Sequence, residues 1–487
     1  MAIQDETRVA CNHPELNDEC QAQRERLNQK LSRDGRDSII IRDPIHGLID
    51  VKRGYVHVID TCCFQRLRRI IQMGSVHLAY PSSYHTRFDH SLGVFALASE
   101  ICRKLDYSAC PEGIRKEIED KKKLLPLAGL LHDIGHGPFS HVSERVWALA
   151  EETDGIESDY HSVHELWSAR MVKNDQCLRE VITREFGYSD EQIDIVSDMI
   201  IKRGAGGKEQ ENRVPLALHS IINGDFDADQ MDYLVRDATT VGVPYGNIDL
   251  ERIIKFLTVK QHGDVYDLCI SDRAIISIKN MMMARNLLYD SVIYHKVPVI
   301  AESMLVRCFE RFYEEKLYDE GKYKNAREFA EMFRRLDDFQ AWELLKSVRD
   351  PLIERFINSL LCRKLLKRLE FKKAEIIEDE WIKMASAKRQ DRKEIEIDIA
   401  GNLHIEPFYI ILKPESSPKN KTVRVYHEKE GNVVVYEPNM HLDPVDQSET
   451  IIRDGKGVTT LSVYCPAMYY NKVEDVIQER YGRRDET

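Results

Sequence analysis

The sequence predicts a mainly α-helical protein with a smaller α+β lobe at its C-terminal end. Apolar residues recur at i, i+3 and i+4 through most of residues 58 to 316, the spacing that lines one face of a helix. After residue 375, short β-branched runs separated by turn-forming residues read as strands. The chain has 487 residues, 43% hydrophobic and 31% charged, enough for two or three domains with a sizeable core and not a disordered composition.

In chain order, residues 1–37 are a polar extension with one short helix at "ELNDECQAQRERLNQKL". "IIIRDPIHGLIDV" sets β-branched residues around a Pro and a Gly and reads as a hairpin. Helices follow from "VIDTCCFQRLRRI" through "SLGVFALASEICRKL", "KKLLPLAGLLHDIG", "SVHELWSARMV" and "DQMDYLVRDAT". "RGAGGKEQENR", 203 to 213, is a glycine-rich loop, and helices resume from "LERIIKFL" to "FERFYEEK". "EIEIDIAGN", "FYIILK", "KTVRVYH", "NVVVYEP" and "TTLSVYCP" read as strands, and "NKVEDVIQERYG" as a closing helix. This gives a helical domain over 38–330 and a lobe over 331–487, helical and then α+β.

Charge and cysteines narrow the function classes. A net charge of -12 disfavours broad electrostatic binding to nucleic acid, and the basic run "CRKLLKRLEFKK" reads as a solvated helix face. No apolar run approaches a membrane span, and the polar N-terminus is not a signal peptide. Eleven cysteines without a CxxC pair suit a reduced, cytoplasmic protein.

"LLHDIGHGPFSH" ends an apolar helix on His132 and Asp133, with Gly135 and Gly137-Pro138 stopping it. Burying such groups costs several kcal/mol unless each finds a partner. Imidazole with carboxylate is a mixed N/O set suited to Fe, Mn, Zn, Ni or Co. "YHTRFDHSLG" offers His90 at a helix start, with Arg87 three residues earlier. In "DFDADQMDYLVRD", Asp229, Tyr233 and Asp237 share one helix face, beside Asp232 and Arg236.

In the order His, His-Asp, Asp, these pieces resemble the HD-domain phosphohydrolases, and among them the deoxynucleoside triphosphate triphosphohydrolases, one of which carries a SAM domain not evident here. "DPIHGLIDV", "IDTCCFQRLRRIIQMG", "RFDHSLGV", "LAGLLHDIGHGPFSH", "HEL", "DADQMDYLVRD" and "YHK" carry the resemblance over roughly residues 38 to 300. It implies an HD-domain helical bundle with His90, His132, Asp133 and Asp229 as ligands of a divalent metal, and Mg accompanying the nucleotide. It implies that His136, His141 and His164 line the phosphates, His141 protonating the leaving 5′ oxygen. Glu144 stands where the family pairs an aspartate with a catalytic histidine. Arg87, Tyr233, Asp237 and Arg285 match residues contacting phosphates and sugar, and Gln72 and Met73 match the base and sugar edge. Asp60, Gln65 and Arg68 match a guanine-nucleotide activator site. Arg252, Arg273, His295 and Lys296 offer charge for a second nucleotide between subunits of a dimer or tetramer.

The chain also departs from that pattern. Gln230 stands for a phosphate-contacting Lys, Ile293 for a Tyr under the sugar, and Tyr289 for an upstream His. Ile39, Ile40 and Arg42 precede "DPIHG", where a Lys and an Asn are expected at the outer two positions. The expected reaction is hydrolysis of (deoxy)nucleoside triphosphates to nucleoside and inorganic triphosphate, with nucleotide activation. Two other readings remain at this level. One is an HD-type phosphodiesterase or nuclease acting on nucleic acid or a cyclic nucleotide, which the acidic charge argues against for polymers. The other is a nucleotide-sensing binding protein without turnover.

Overall fold

Helix dominates the computed structural model, which describes residues 17–155, 163–201, 214–317, 323–369, 389–416, 423–436, 452–453 and 458–481. The expected glycine-rich loop at 203–213 and the end of the basic run lie outside these residues. The N-terminal helix spans Asn17–Arg33. Strands Ser38–Asp43 and Gly47–Lys52 form the expected antiparallel hairpin, in register from Asp43 opposite Gly47 to Ser38 opposite Lys52. Asp43 Oδ1 pins its turn by accepting from the Ile45 and His46 N–H groups at 2.8 Å each.

Three helices build the centre. Arg87–Lys104 begins where the Asp89 carboxylate turns back to accept from the Thr86 N–H and hydroxyl, both at 2.9 Å, closing the first turn. Leu125–Leu131 packs against it, completely buried, and Ala228–Val241 crosses it. Asp227 caps the last helix at its start, and Gly242 ends it in the left-handed region at φ 80°. Leu125, Leu127, Leu130 and Leu131 are fully inaccessible. Each contributes roughly 1.5–3 kcal/mol of apolar burial, so the helix that ends on His132 is held by its hydrophobic face and not by its polar end.

Three expectations fail. The described part of the basic run, residues 362–369, is not a helix face: the helix Pro351–Leu361 ends before it, and Lys367–Arg368 is a short strand paired with Val458–Cys465. Residues 257–271, taken as part of a helical run, form a hairpin of Leu257–His262 and Val265–Ser271 around Gly263 at φ 60°. "EIEIDIAGN" is not a strand but lies within the helix Arg389–Leu403. Its alternating residues mimic period 2, yet Glu396, Ile399 and Ala400 also share a helical face, and that face is the buried one. "FYIILK" also starts late, with a 3₁₀ turn over Pro407–Tyr409 before the strand Ile411–Ser416.

The hairpin joins distant parts of the chain. Strand Val423–His427 pairs in parallel with Val265–Ser271, Ile270 opposite Val425, and Asn432–Tyr436 completes that four-stranded sheet. A second sheet pairs Val458–Cys465 with Ile411–Ser416, Lys367–Arg368 and Ile452–Arg453. Apolar residues pack in three clusters: one on the three central helices, one from Phe139 to Tyr464, and a small one closed by Tyr470–Tyr481. Among the described residues, no helix is long and apolar enough to cross a membrane.

Candidate metal centre and active site

The Leu125–Leu131 helix ends with His132 at its C-cap, and the chain turns sharply at Asp133–Gly135. Gly135 is required there. A Cβ on it would lie 2.3 Å from the Ser168 nitrogen of the neighbouring Val163–Asn174 helix. The first turn of Arg87–Lys104 brings His90 alongside, and the first turn of Ala228–Val241 brings Asp229.

His90 Nε2 lies 3.2 Å from His132 Nε2 and 2.9 Å from Asp229 Oδ1. His132 Nε2 is 3.3 Å from Asp133 Oδ1 and 3.8 Å from Asp229 Oδ1. The other ring nitrogen of each histidine is already spent: His90 Nδ1 donates to Asp232 Oδ2 at 2.8 Å, and His132 Nδ1 to the Gly129 carbonyl at 2.8 Å. Hydrogen on Nδ1 leaves two Nε2 lone pairs facing each other across a gap flanked by two carboxylates. That arrangement repels itself unless a cation or proton sits between, and the donor set fits a divalent ion. Burial opposes charge on His90, yet Asp229 and Asp232 outweigh it and hold its pKa up at about 10. Burial likewise opposes the charge of Asp133, and His132 and Arg87 hold its carboxyl well below the usual range.

Behind His90 lies a buried network. Asp232 accepts from His46 at 2.6 Å through Oδ1 and from Arg236 Nε at 2.7 Å through Oδ2, and Arg236 NH1 reaches Asp43 at 2.9 Å. His46, His90 and Arg236 keep the Asp232 carboxyl well below its ordinary pKa against the effect of burial. Gly93 gives this network room, because a Cβ there would stand 1.8 Å from Asp232 Oδ1. The hairpin turn Asp43–Gly47 is thereby tied to a candidate metal ligand.

On the other side of Asp133 the next helix, His141–Thr153, starts a second histidine group. Asp133 Oδ1 is 3.4 Å from His136 Nε2. His136 stacks on His164, centroids 4.1 Å apart, and meets His141 edge-on at 5.4 Å. Glu144 Oε1 accepts from His164 Nδ1 at 2.5 Å and from His141 Nδ1 at 3.1 Å. The longer side chain therefore reaches both histidines. Burial lowers the His136 pKa well below 6.5, reinforced by Arg87 and His164. His164 goes the other way: Glu144 overcomes burial and raises it to about 9. Among the described residues both His136 ring nitrogens are buried without a hydrogen-bond partner.

Arg87 joins the two groups. It is 4% exposed and donates to Asp133 Oδ2 at 2.6 Å, to the Ser140 hydroxyl at 3.1 Å and to the Gln72 carbonyl at 3.4 Å. Arg285 is buried over the Tyr289 ring at 4.5 Å, and its Nε has no hydrogen-bond partner among the described residues. Tyr233 is half-buried beside them, its phenol pushed up by burial and by Tyr289. Asp237 is buried against His85 Nε2 at 2.7 Å. Gln72 is buried beside Arg87, and Met73 packs in the first apolar cluster.

The departures have definite places too. The Gln230 side chain donates to the Gly224 carbonyl at 3.3 Å, within its own helix entrance. Ile293 ends a single π-turn, Tyr289–Ile293, and packs on the first cluster. The expected activator residues form two groups. Gln65 accepts from Arg68 Nε at 2.9 Å, Arg68 lies over the Phe88 ring at 3.5 Å, and Asp60, raised by burial, feels Arg68. Arg252 donates to the Arg273 carbonyl at 2.7 Å, and Arg273 pairs with Glu428 at 2.6 Å. His295 caps the Lys296–Glu314 helix, on which Lys296 is exposed.

Sequence reading missed His46, His85, Ser140 and the role of Asp232. His46 and His85 lie inside quoted motifs, but their partners are 186 and 152 positions away. Asp232 could have been found as the residue three after Asp229, on the adjoining face of the same helix.

Comparison with known proteins identifies the family. The HD domain model matches residues 87–237, and the HD associated region matches 248–484. Uncharacterized protein YwfO of Bacillus subtilis is 30% identical over 365 residues, covering 71% of this chain and 74% of that protein. An uncharacterized protein of Methanocaldococcus jannaschii is 28% identical over 462 residues, covering 91% and 88%. The deoxynucleoside triphosphate triphosphohydrolase SAMHD1 of Gallus gallus is 31% identical over 349 residues, which span 68% of this chain and only 54% of that protein. The histidine and aspartate cluster, the HD domain around it and the region that follows identify the family: this chain belongs to the HD-domain metal-dependent phosphohydrolases, built as an HD domain with an HD-associated region.

Proposed function

We propose that this chain hydrolyses nucleoside triphosphates, deoxynucleotides among them, to nucleoside and inorganic triphosphate. The observation that carries the reading is Asp133 Oδ1, set between His132 at 3.3 Å and His136 at 3.4 Å, so that a cation site and a phosphate-facing histidine group share one carboxylate. His90, His132, Asp133 and Asp229 would hold the divalent ion. Such an ion lowers the pKa of water and polarises a phosphoryl oxygen.

The chain's own residues do the rest. Arg87 and Arg285 offer guanidinium donors to phosphate oxygens. Protonated His164 adds positive charge against the triphosphate, and neutral His136 has a ring N–H to donate to a phosphate oxygen. His141 is the acid. Glu144 fixes its Nδ1, and its side chain is 63% exposed, so Nε2 is open to give a proton to the leaving 5′ oxygen. Asp237, oriented by His85, accepts from a sugar hydroxyl. Ile293 supplies no ring beneath the sugar, so ribonucleotides belong among the substrates to test. The name of the Gallus gallus relative supports the triphosphate product. Asp60, Gln65 and Arg68 are the proposed guanine-nucleotide activator group, and Arg252, Arg273 and Lys296 a second charge cluster in a homo-oligomer.

The test is product analysis. Purified protein loaded with Mn or Fe, and supplied with Mg, is incubated with each dNTP and NTP, with and without GTP. Ion-exchange chromatography should show nucleoside and triphosphate, absent in Asp133→Ala. Release of 5′-monophosphates from a polymer would replace this reading with a nuclease. Nucleotide binding by metal-loaded protein without turnover would make the chain a sensor.

A further inference from the structure

Two short loops meet at Arg87, which pairs with Asp133: residues 70–74, which carry Gln72, and the turn at Phe139-Ser140. Neither is regular. Phe139 and Ser140 both sit in the left-handed region, at φ 58° and 53°, a conformation that residues with a side chain hold only when their surroundings impose it. Part of that constraint comes from Ser140, whose hydroxyl donates to the Ile71 carbonyl at 2.7 Å and approaches the Gln72 carbonyl at 3.1 Å. That hydroxyl also accepts from Arg87 Nε.

One backbone N–H from each loop points elsewhere. The Phe139 N–H donates to Asp338 Oδ1 at 2.7 Å, and the Ile71 N–H donates to Asp338 Oδ2 at 3.0 Å. Asp338 opens the helix Asp338–Ser347, far along the chain in the HD-associated region. It is 6% exposed. Its neighbourhood is fastened to the HD turn independently. Arg66 donates to the Ile134 carbonyl at 2.9 Å with one nitrogen and to the Leu336 carbonyl at 2.9 Å with the other. Arg69 pairs with Asp337, and the Trp342 ring meets Phe139 edge-on at 5.2 Å.

We propose that Asp338 is a positioning residue of the active site: one carboxylate from the HD-associated region fixes the 70–74 loop against the Phe139-Ser140 turn and so sets the seat of Arg87. Side-chain oxygens join the two loops: Ser140, on one loop, donates to the Ile71 and Gln72 carbonyls of the other, and Asp338 accepts from one N–H of each. A bidentate acceptor is needed, because each oxygen serves a different loop. The inference rests on the proposed role of Arg87 at substrate phosphate.

Asp338→Asn is the informative variant. It keeps the shape and one acceptor but turns an amide N–H toward one of the two loop N–H groups. Burial pushes the Asp338 carboxyl up to about 6, so removing its charge relieves a cost, and the fold should tolerate the change. Three measurements are made on the full chain. Hydrogen exchange should speed at Ile71 or Phe139 in Asp338→Asn, and at both in Asp338→Ala. Inorganic triphosphate should bind more weakly to Asp338→Asn at unchanged metal content. With whichever nucleotide the wild type turns over, kcat measured well below the Tm of both proteins should fall roughly 10- to 100-fold, the cost of misplacing a group by about an ångström. Unchanged exchange at both amides would overturn the proposal. So would a loss of kcat that merely follows a fall in Tm, since Asp338 would then only stabilise the fold. If the wild type turns over no nucleotide, the functional reading fails, while exchange and triphosphate binding still decide whether Asp338 is the clamp.

Discussion

The two histidine groups on either side of Asp133 are built in opposite ways. At His90 and His132 every nitrogen not facing the gap is tied down, by Asp232 or by the Gly129 carbonyl, and both rings are nearly inaccessible. At His136, His141 and His164 donor capacity is left over. His136 has two nitrogens without a hydrogen bond among the described residues, and the His141 side chain is 63% exposed. The first group is finished by the fold and needs only a cation. The second keeps unpaired ring nitrogens at His136 among the described residues, which the proposed reading assigns to substrate. On the proposed reading, one group is pre-organised for the cation and the other is reserved for charge that develops during reaction.

Removing the shared carboxylate tests the comparison most severely. Asp133→Ala should lose metal, measured by atomic absorption, and reduce turnover on the order of 10³-fold or more, since several kcal/mol of transition-state charge stabilisation disappear. Retained metal with retained turnover would mean that the carboxylate does not join the two groups. His141→Ala should separate them cleanly, with turnover falling roughly 10²- to 10⁴-fold at unchanged metal content. Loss of metal in that variant would contradict the division.

The division is partly legible in the sequence. His90, His132, Asp133 and Asp229 stand in short motifs whose order along the chain carries the signal, and the helices beneath them follow a clear 3.6-residue pattern. The supports of that site were hidden, because each joins segments remote in sequence: His46 to Asp232, His85 to Asp237, Asp338 to Ile71 and Phe139. No local pattern marks such pairs. The errors in secondary structure have the same origin. "EIEIDIAGN" alternates like a strand but becomes helix because buried Glu396 takes Arg307 at 2.8 Å and Arg389 at 3.0 Å. The hairpin at 257–271 gains a partner strand only from residues 423–427.

A smaller effect probes how the finished side is held. Asp232→Asn removes the charge that orients His90, and metal affinity should fall about 10- to 100-fold while turnover recovers at saturating metal. Isothermal titration with Mn separates this from a folding defect. Gly93→Ala should reproduce it, with lower Tm, because the new methyl displaces the same carboxylate. Normal affinity in both variants would show that His90 is oriented by packing alone.

The last effect belongs to the phosphate-side histidines and is read in stability, not in turnover. His164 is raised from 6.5 to about 9 by Glu144 against burial, so its contribution is complete below pH 6.5 and is lost as pH climbs toward 9. Glu144 is depressed below 4.5 because His164 and His141 outweigh its own burial, so its contribution is present above 4.5 and lost as the solution is acidified further. The pair therefore stabilises the fold most between 4.5 and 6.5. From there to pH 9 it gives up at most ~3 kcal/mol. Thermal unfolding at pH 6 and pH 9 should show a drop in Tm in the wild type that Glu144→Gln largely abolishes, since His164 then returns toward its ordinary value. An equal drop in both proteins would place the sensitivity elsewhere and leave His164 neutral at working pH. The positive charge facing the triphosphate would then have to come from Arg87 and Arg285 alone.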